Sequence, residues 1–128
     1  MPLVIYRPGA EPQEVDTAVS LLDVYPTLLA LAGLPVNEDN EGRNLIPIIE
    51  AETDLNRAIL TSLNEDFHAV RDGRYRYLKS ADAEALFDHF DDPREFNNIA
   101  HQPGSATIIE RLSKAIPQNP LPGMAQRK

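Results

Sequence analysis

His68-Ala69-Val70-Arg71-Asp72-Gly73-Arg74-Tyr75-Arg76-Tyr77-Leu78-Lys79 reads as two extended arms around an Asp-Gly step. Asp-Gly supplies the positive φ angles of a two-residue type I′ turn, so the stretch predicts a β-hairpin. Alternation puts Tyr75 and Tyr77 on one face and Arg74, Arg76 and Leu78 on the other. Upstream, Ala58 to Ser62 is a further candidate strand. Downstream, a turn at Ser80 to Ala83 leads into Glu84-Ala85-Leu86-Phe87-Asp88. Strands that follow one another in this way form an antiparallel meander. Asp91-Asp92-Pro93-Arg94-Glu95 then turns the chain. Ser105 is expected to cap a helix reaching Ile116, whose Ile108, Ile109, Leu112 and Ile116 form an apolar stripe for one sheet face. The fold class is therefore α+β, a small antiparallel sheet of about four strands packed by a C-terminal helix.

The first fifty residues follow a different pattern. Leu3-Val4-Ile5 before Pro8-Gly9 predicts a short strand buried on both faces, yet nothing nearby offers the parallel neighbours such a strand requires. Residues 14 to 20 alternate loosely as a second extended piece. Asp23 is placed to cap a helix from Val24 to Ala32, with Pro26 tolerable in its first turn, Gly33 at its left-handed close and Pro35 preventing continuation. That helix is apolar almost all round, which predicts packing between layers. Residues 36 to 44 are a polar connector, and Asn44 to Glu50 a short helical turn interrupted by Pro47. The expected division is 1–50 as a strand–helix piece, 51–116 as the antiparallel-sheet subdomain with its closing helix, and 117–128 as a frayed tail.

Composition bounds the function. Twenty acidic and 12 basic residues leave a net charge of −8, which argues against a nucleic-acid or anionic-membrane surface. Leu, Ile, Val and Phe total 34 of 128 residues, enough to build a core, and no apolar run approaches the ~18 residues of a membrane span. Export, if it happens, is not encoded in residues 1 to 20, and the compartment is left open. Zero cysteines remove disulfides, thiolate metal sites and cysteine nucleophiles together. Eleven prolines favour many short elements. No internal repeat or low-complexity tract occurs.

Candidate chemistry is sparse. Asp88, His89, Asp91 and Asp92 could supply N and O ligands, but they sit where a strand runs into a proline turn and acidic residues gather for turn-forming reasons. Glu38-Asp39-Asn40-Glu41-Gly42 resembles part of a calcium loop with its ligand positions out of register, and reads as a solvated acidic loop. Arg71, Arg74, Arg76 and Lys79 cluster on the hairpin and could meet a sulfate or phosphate, although hairpins carry such charges to blunt edge pairing. His68 reads as a packed imidazole at a strand start and His101 as a loop residue. No G-x-S-x-G elbow, phosphate-binding glycine loop or H-E-x-x-H helix is present.

The order of segments carries a resemblance. Val19-Ser20-Leu21-Leu22-Asp23-Val24-Tyr25-Pro26-Thr27-Leu28-Leu29-Ala30-Leu31-Ala32-Gly33-Leu34-Pro35 followed by Glu41-Gly42-Arg43-Asn44-Leu45-Ile46-Pro47 resembles the C-terminal third of type I sulfatases. The hairpin, then Glu84-Ala85-Leu86-Phe87-Asp88, then Asp92-Pro93-Arg94-Glu95-Phe96-Asn97-Asn98-Ile99-Ala100 is similar to their end pattern, "E-L-Y-D" and "D-P-x-E-x-x-N-L-A". The likeness covers residues 2 to 114, and the bacterial iduronate-sulfatase-like branch is nearest. It implies a hydrolase of the alkaline phosphatase superfamily whose N-terminal domain holds calcium and a formylglycine made from Cys or Ser in C/S-x-P-x-R. No position here matches those catalytic residues, so neither cofactor is expected in this chain. The resemblance makes the chain a C-terminal piece, inactive alone, whose partner is the missing N-terminal sulfatase domain. Asn64 to Arg71 corresponds to the stretch that approaches the substrate mouth in some members, with Phe67 in place of the Asn of "N-H-A-V-R". His68 and Arg71 are thereby the substrate-binding candidates. Unpartnered apolar residues predict a homo-oligomer through residues 1–35. The alternatives are a free-standing binding or oligomerisation module, or a fragment of a related phosphodiesterase or phosphonate hydrolase.

Overall fold

The computed structural model describes residues 3–35, 39–50, 54, 56–64 and 66–117. After a 3-10 turn at Leu21–Asp23 come helices α1 (Val24–Leu31) and α2 (Ile46–Glu50), strands β1 (Ile59–Ser62), β2 (His68–Arg71), β3 (Tyr75–Lys79) and β4 (Glu84–Asp88), and helix α3 (Ser105–Ser113). The chain divides into two compact units, Met1–Asp54 and Leu55–Lys128. Residues 1–54 hold ten acidic and two basic side chains, the whole net charge of −8, whereas residues 55–128 hold ten of each. Parts of the expected connector, Glu38 among them, and the tail at 118–128 lie outside the described residues.

In the C-terminal unit the four strands pair antiparallel in sequence order. Register aligns Leu60, Val70, Tyr77 and Leu86 in one row across the sheet. Val70, Tyr77 and Leu86 are buried with Leu112 of α3 and Ala100, and Ile99, Ile108, Ile109 and Ile116 pack around them. The apolar stripe of α3 thus covers the face that alternation assigns to Tyr75 and Tyr77. The sequence errs at the hairpin tip. Positive φ occurs among the described residues at Gly9, Gly33, Gly104 and Glu95, not at Gly73. Asp72 closes the turn instead: its N–H donates to the Tyr75 carbonyl at 3.0 Å, and its Oδ1 accepts the N–H groups of Arg74 and Tyr75 at 2.8 and 2.6 Å. A side-chain acceptor does what a type I′ backbone would have done. Ser105 is likewise the first residue of α3 rather than its cap. Gly104, at φ 92°, holds the cap position, and the Ser105 hydroxyl donates to the Ile99 carbonyl at 2.6 Å.

In the N-terminal unit, the expected strand at Leu3-Val4-Ile5 does not form. The segment is extended with no ladder partner among the described residues, and Val4 is 86% exposed. Asp23 holds the N-cap position of α1 as expected, but its side chain bonds no N–H of that helix. Ser20 caps the preceding 3-10 turn in a reciprocal box: Ser20 Oγ accepts the Leu22 N–H at 3.3 Å, and Asp23 Oδ2 accepts the Ser20 N–H at 2.7 Å. Asp23 is 1% exposed and its other oxygen accepts the Arg43 N–H at 2.8 Å. One turn on, the Thr27 hydroxyl donates to the Asp23 carbonyl at 2.6 Å and accepts the Leu45 N–H at 2.9 Å. The two sequence blocks at 19–35 and 41–47 are therefore stitched side chain to backbone, with Leu45 buried beneath them. α1 closes as expected, with Gly33 at φ 67° and the Leu34 and Gly33 N–H groups bonded to the carbonyls of Leu29 and Ala30 at 2.9 and 3.1 Å.

Gly42 lies where a Cβ would collide with the Leu22 carbonyl, a backbone atom that cannot step aside. Gly42→Ala is expected to cost about 1–3 kcal/mol in the N-terminal unit. Amide hydrogen exchange should read this as roughly tenfold to hundredfold faster exchange at Arg43 and Leu45, with Val70 unchanged; equal rates at all three would contradict the stitch.

Candidate functional site

The charged residues of the hairpin and of the 88–98 segment meet at one end of the sheet. Arg74 leaves the hairpin tip and grips Asp88 at the end of β4 with a forked contact, Nε to Oδ1 and Oδ2 at 2.9 and 3.0 Å and Nη2 to Oδ2 at 2.6 Å. Asp91 lies 3.7 Å from the same guanidinium, and the rings of Tyr75 and Phe90 lie 5.0 and 5.3 Å from its carbon. Such a planar cation between two rings and two carboxylates is held in orientation as well as in charge. The Arg74 hydrogen bond holds the Asp88 carboxyl below its usual range despite burial, which acts the other way. On the neighbouring row Arg76 reaches Glu95 at 3.1 Å, and His89 Nε2 meets the same Glu95 oxygen at 2.5 Å. Glu95 holds this place from a left-handed backbone, φ 58°. Arg111 of α3 contacts Asp72 at 2.7 Å, tying the helix to the hairpin tip.

At the outer edge of β4, Asn98 occupies the place of a fifth strand. Its Oδ1 accepts the Leu86 N–H at 3.0 Å, its Nδ2 donates to the Glu84 carbonyl at 3.2 Å, and the Ile99 N–H donates to the Leu86 carbonyl at 2.9 Å. Asp92 turns the chain toward this contact by accepting the Asn97 N–H at 2.7 Å. Beneath the sheet the Tyr77 hydroxyl donates to Glu84 at 2.8 Å, and burial together with that bond pushes the phenol up to about 12.

The structure does not bring His68 and Arg71 together. Three residues apart on one strand, they point to opposite faces. His68 is buried, with Nδ1 2.8 Å from the Ser62 hydroxyl across the β1–β2 ladder. Arg71 is exposed on the open face opposite α3, beside its cross-strand partner Arg76. Of the four hairpin cations, Arg74 and Arg76 are engaged by carboxylates, and Lys79 belongs to the Tyr77 face. Asp88, His89 and Asp92 each have a structural partner, and among the described residues no group of three His, Asp or Glu side chains is placed to hold a metal ion. The chain has no cysteine and no C/S-x-P-x-R sequence. The sequence thus offers no formylglycine precursor of that pattern. An open depression of about 450 Å³ at the β3–β4 turn is lined by Lys79, Ser80, Asp82, Glu84 and His101. The roles of Asn98 and Glu95 have no signal in the sequence beyond the spacing of Asp92, Glu95 and Asn98, and that of Asp72 none beyond the Asp-Gly step.

The class this defines is a small antiparallel-sheet domain whose titratable groups mostly bond one another and the backbone. Residues 1–120 match the family described as N-sulphoglucosamine sulphohydrolase, C-terminal, and the chain belongs to that family of sulfatase C-terminal domains. It is 34% identical over 80% of its length to a choline-sulfatase of Rhizobium meliloti, covering 22% of that protein, and 31% identical over 80% to an arylsulfatase K of Xenopus laevis, covering 23% of it. A crystal structure of a sulfatase from Bacteroides thetaiotaomicron superposes with a TM-score of 0.57 at 27% identity, over 69% of this chain and 21% of that one. The chain thus spans between a fifth and a quarter of the length of the relatives it matches.

Because the Asp88 carboxyl is depressed in the folded chain, its contribution is complete above the unfolded carboxyl range, near pH 4, and is lost as pH falls through the lower folded value. Asp88→Asn is expected to cost about 1.5–3 kcal/mol at pH 7 and to lose less stability than the parent between pH 5 and 2. Urea midpoints across that range measure this, and parallel pH profiles would contradict it.

Proposed function

We propose that this chain is the closing domain of a sulfuric ester hydrolase, with a structural role and no turnover of its own. The observation that carries the reading is the engagement of its motif carboxylates: Asp88, Asp92 and Glu95 hold Arg74, Asn97, His89 and Arg76, so none is disposed to attack or to ligate. Membership of the family and the share of the relatives' length support it. Arg71 is the residue we assign to the substrate rim. It is exposed on the sheet's open face, and a guanidinium matches the oxygens of a sulfate ester. His68 then serves the rim indirectly, by fixing β1 to β2 through Ser62.

The apolar surface of the N-terminal unit supports a partner. Leu21, Leu22, Tyr25, Leu31 and Leu34 are exposed with Leu28, itself 58% exposed. Covering each such side chain is worth roughly 1.5–3 kcal/mol. We assign this face to the remainder of a sulfatase chain, and without that remainder copies associate through residues 1–35.

Two measurements test this. The purified chain is expected to hydrolyse neither an aryl sulfate nor an aryl phosphate, with or without calcium; turnover that survives further purification overturns the assignment. Light scattering is expected to give a mass above the monomer that falls in Ile5→Lys/Leu28→Glu, and a monodisperse monomer with a folded N-terminal half would contradict the association.

A further inference from the structure

The sheet's two edges are unequal. The edge at β4 is closed by Asn98 and Ile99. The edge at β1 has no strand beside it among the described residues. Leu63 donates its N–H to the Phe67 carbonyl at 3.0 Å, and the ladder pairs Ser62 with His68 and Thr61 with Ala69. Bonding alternates along an antiparallel pair, so Ile59 and Thr61 turn their backbone groups to β2 while Leu60 and Ser62 turn theirs outward. Thr61, Ser62 and Leu63 are exposed, Leu63 at 81%. Natural edges are blunted by charge, proline or a bulge, yet Ile59-Leu60-Thr61-Ser62-Leu63 contains no charged residue and no proline.

We propose that β1 pairs with β1 of a second copy of this chain, antiparallel about a two-fold axis at Thr61, joining two four-stranded sheets into one of eight. The sequence of the edge fits itself in this register. Leu60 and Ser62 of one copy exchange N–H···O bonds with Ser62 and Leu60 of the other, Thr61 faces Thr61, and Ile59 faces Leu63. That match covers the most exposed leucine of the segment, and isologous pairing requires this reciprocity. Charge permits it, because the edge is uncharged and residues 55–128 balance ten acidic against ten basic side chains. The opposite edge cannot extend the array, so association through the sheet stops at two copies.

The chain lacks cysteine, which makes a single introduced thiol diagnostic. A pair of the type formed by the two Thr61 residues places Cα atoms about 4.5 Å apart, within disulfide range. Thr61→Cys in the otherwise unaltered 128-residue chain is expected, under mild oxidation, to form a covalent dimer about tenfold or more faster than Ala81→Cys on the exposed β3–β4 turn. The difference is expected to persist in the Ile5→Lys/Leu28→Glu background, which separates this contact from association through residues 1–35. Equal rates for the two cysteine variants overturn the pairing and leave membership of the sulfatase family untouched. Independently of any cysteine, the Leu60 and Ser62 amides of the unaltered chain are expected to exchange more slowly as concentration rises. Thr61→Lys, which sets two like charges opposite each other, should abolish that dependence, and exchange indifferent to concentration in the unaltered chain also overturns the proposal.

Discussion

Asn98 ends the sheet, and much of the C-terminal unit depends on that. β4 turns the backbone groups of Glu84, Leu86 and Asp88 away from β3, and Leu86 is fully buried, so an unbonded N–H there would cost about 1–3 kcal/mol. One amide side chain supplies the acceptor for Leu86 and a donor for Glu84, and the next backbone N–H completes the set. The contact also fixes where the chain goes next. Ala100 is buried against the sheet, Ser105 is bonded back to Ile99, and α3 begins within reach of the row Val70, Tyr77 and Leu86. Closing the edge and laying the helix on the face are one event.

The acidic run before Asn98 follows from the same geometry. A chain leaving β4 must reverse to lie beside it, and Asp88, Asp92 and Glu95 each take part in the turning. The Asp88 carbonyl accepts the Asp92 N–H, Asp92 accepts Asn97, and Glu95 adopts a left-handed backbone while holding Arg76 and His89. Left-handed φ at a non-glycine residue costs of order 1 kcal/mol, and the Arg76 ion pair together with the His89 contact is a sufficient counterweight. What looks in sequence like a metal-ligand cluster is a reversal held by ion pairs.

The meander was legible because alternation and turn residues report strand faces directly, and the stripe Ile108, Ile109, Leu112 and Ile116 named the covering helix. At the hairpin tip and at the start of α1 the departures share one cause, side-chain acceptors that take over backbone N–H groups. At Asp72 the carboxylate satisfies two N–H groups, so Gly73 needs no positive φ. At Asp23, which keeps the N-cap position of α1, the carboxylate bonds back to Ser20 and across to Arg43 instead of to the helix N–H groups. The Arg43 contact spans 20 residues and has no local signature. The placement of His68 and Arg71 on opposite faces is legible in the sequence, since an odd spacing on a strand separates two side chains in this way. Leu3-Val4-Ile5 has the composition of a strand, but composition cannot supply the neighbour that a strand needs.

Charge and apolar exposure divide along the same line. Residues 1–54 carry the entire net charge and a helix, α1, with no charged side chain. That helix shows several large apolar groups to solvent, while its polar fixings, Asp23 and Thr27, are turned inward to bind Arg43 and Leu45. An independent small unit would normally reverse this, with apolar groups in the seam and polar groups outside. Burying the hydrogen-bonding residues instead makes the seam directional, so the helix is fixed against the 40–45 segment while Tyr25, Leu28 and Leu31 stay exposed. In the C-terminal unit the polarity is ordinary, with Val70, Tyr77, Leu86 and Leu112 inside and the ion pairs around them. The two halves of the resemblance to sulfatases therefore mark different physical tasks: the block at 19–47 fixes a helix by inward polar contacts and leaves its apolar side chains exposed, and the block at 68–100 closes the edge of a sheet over an apolar core.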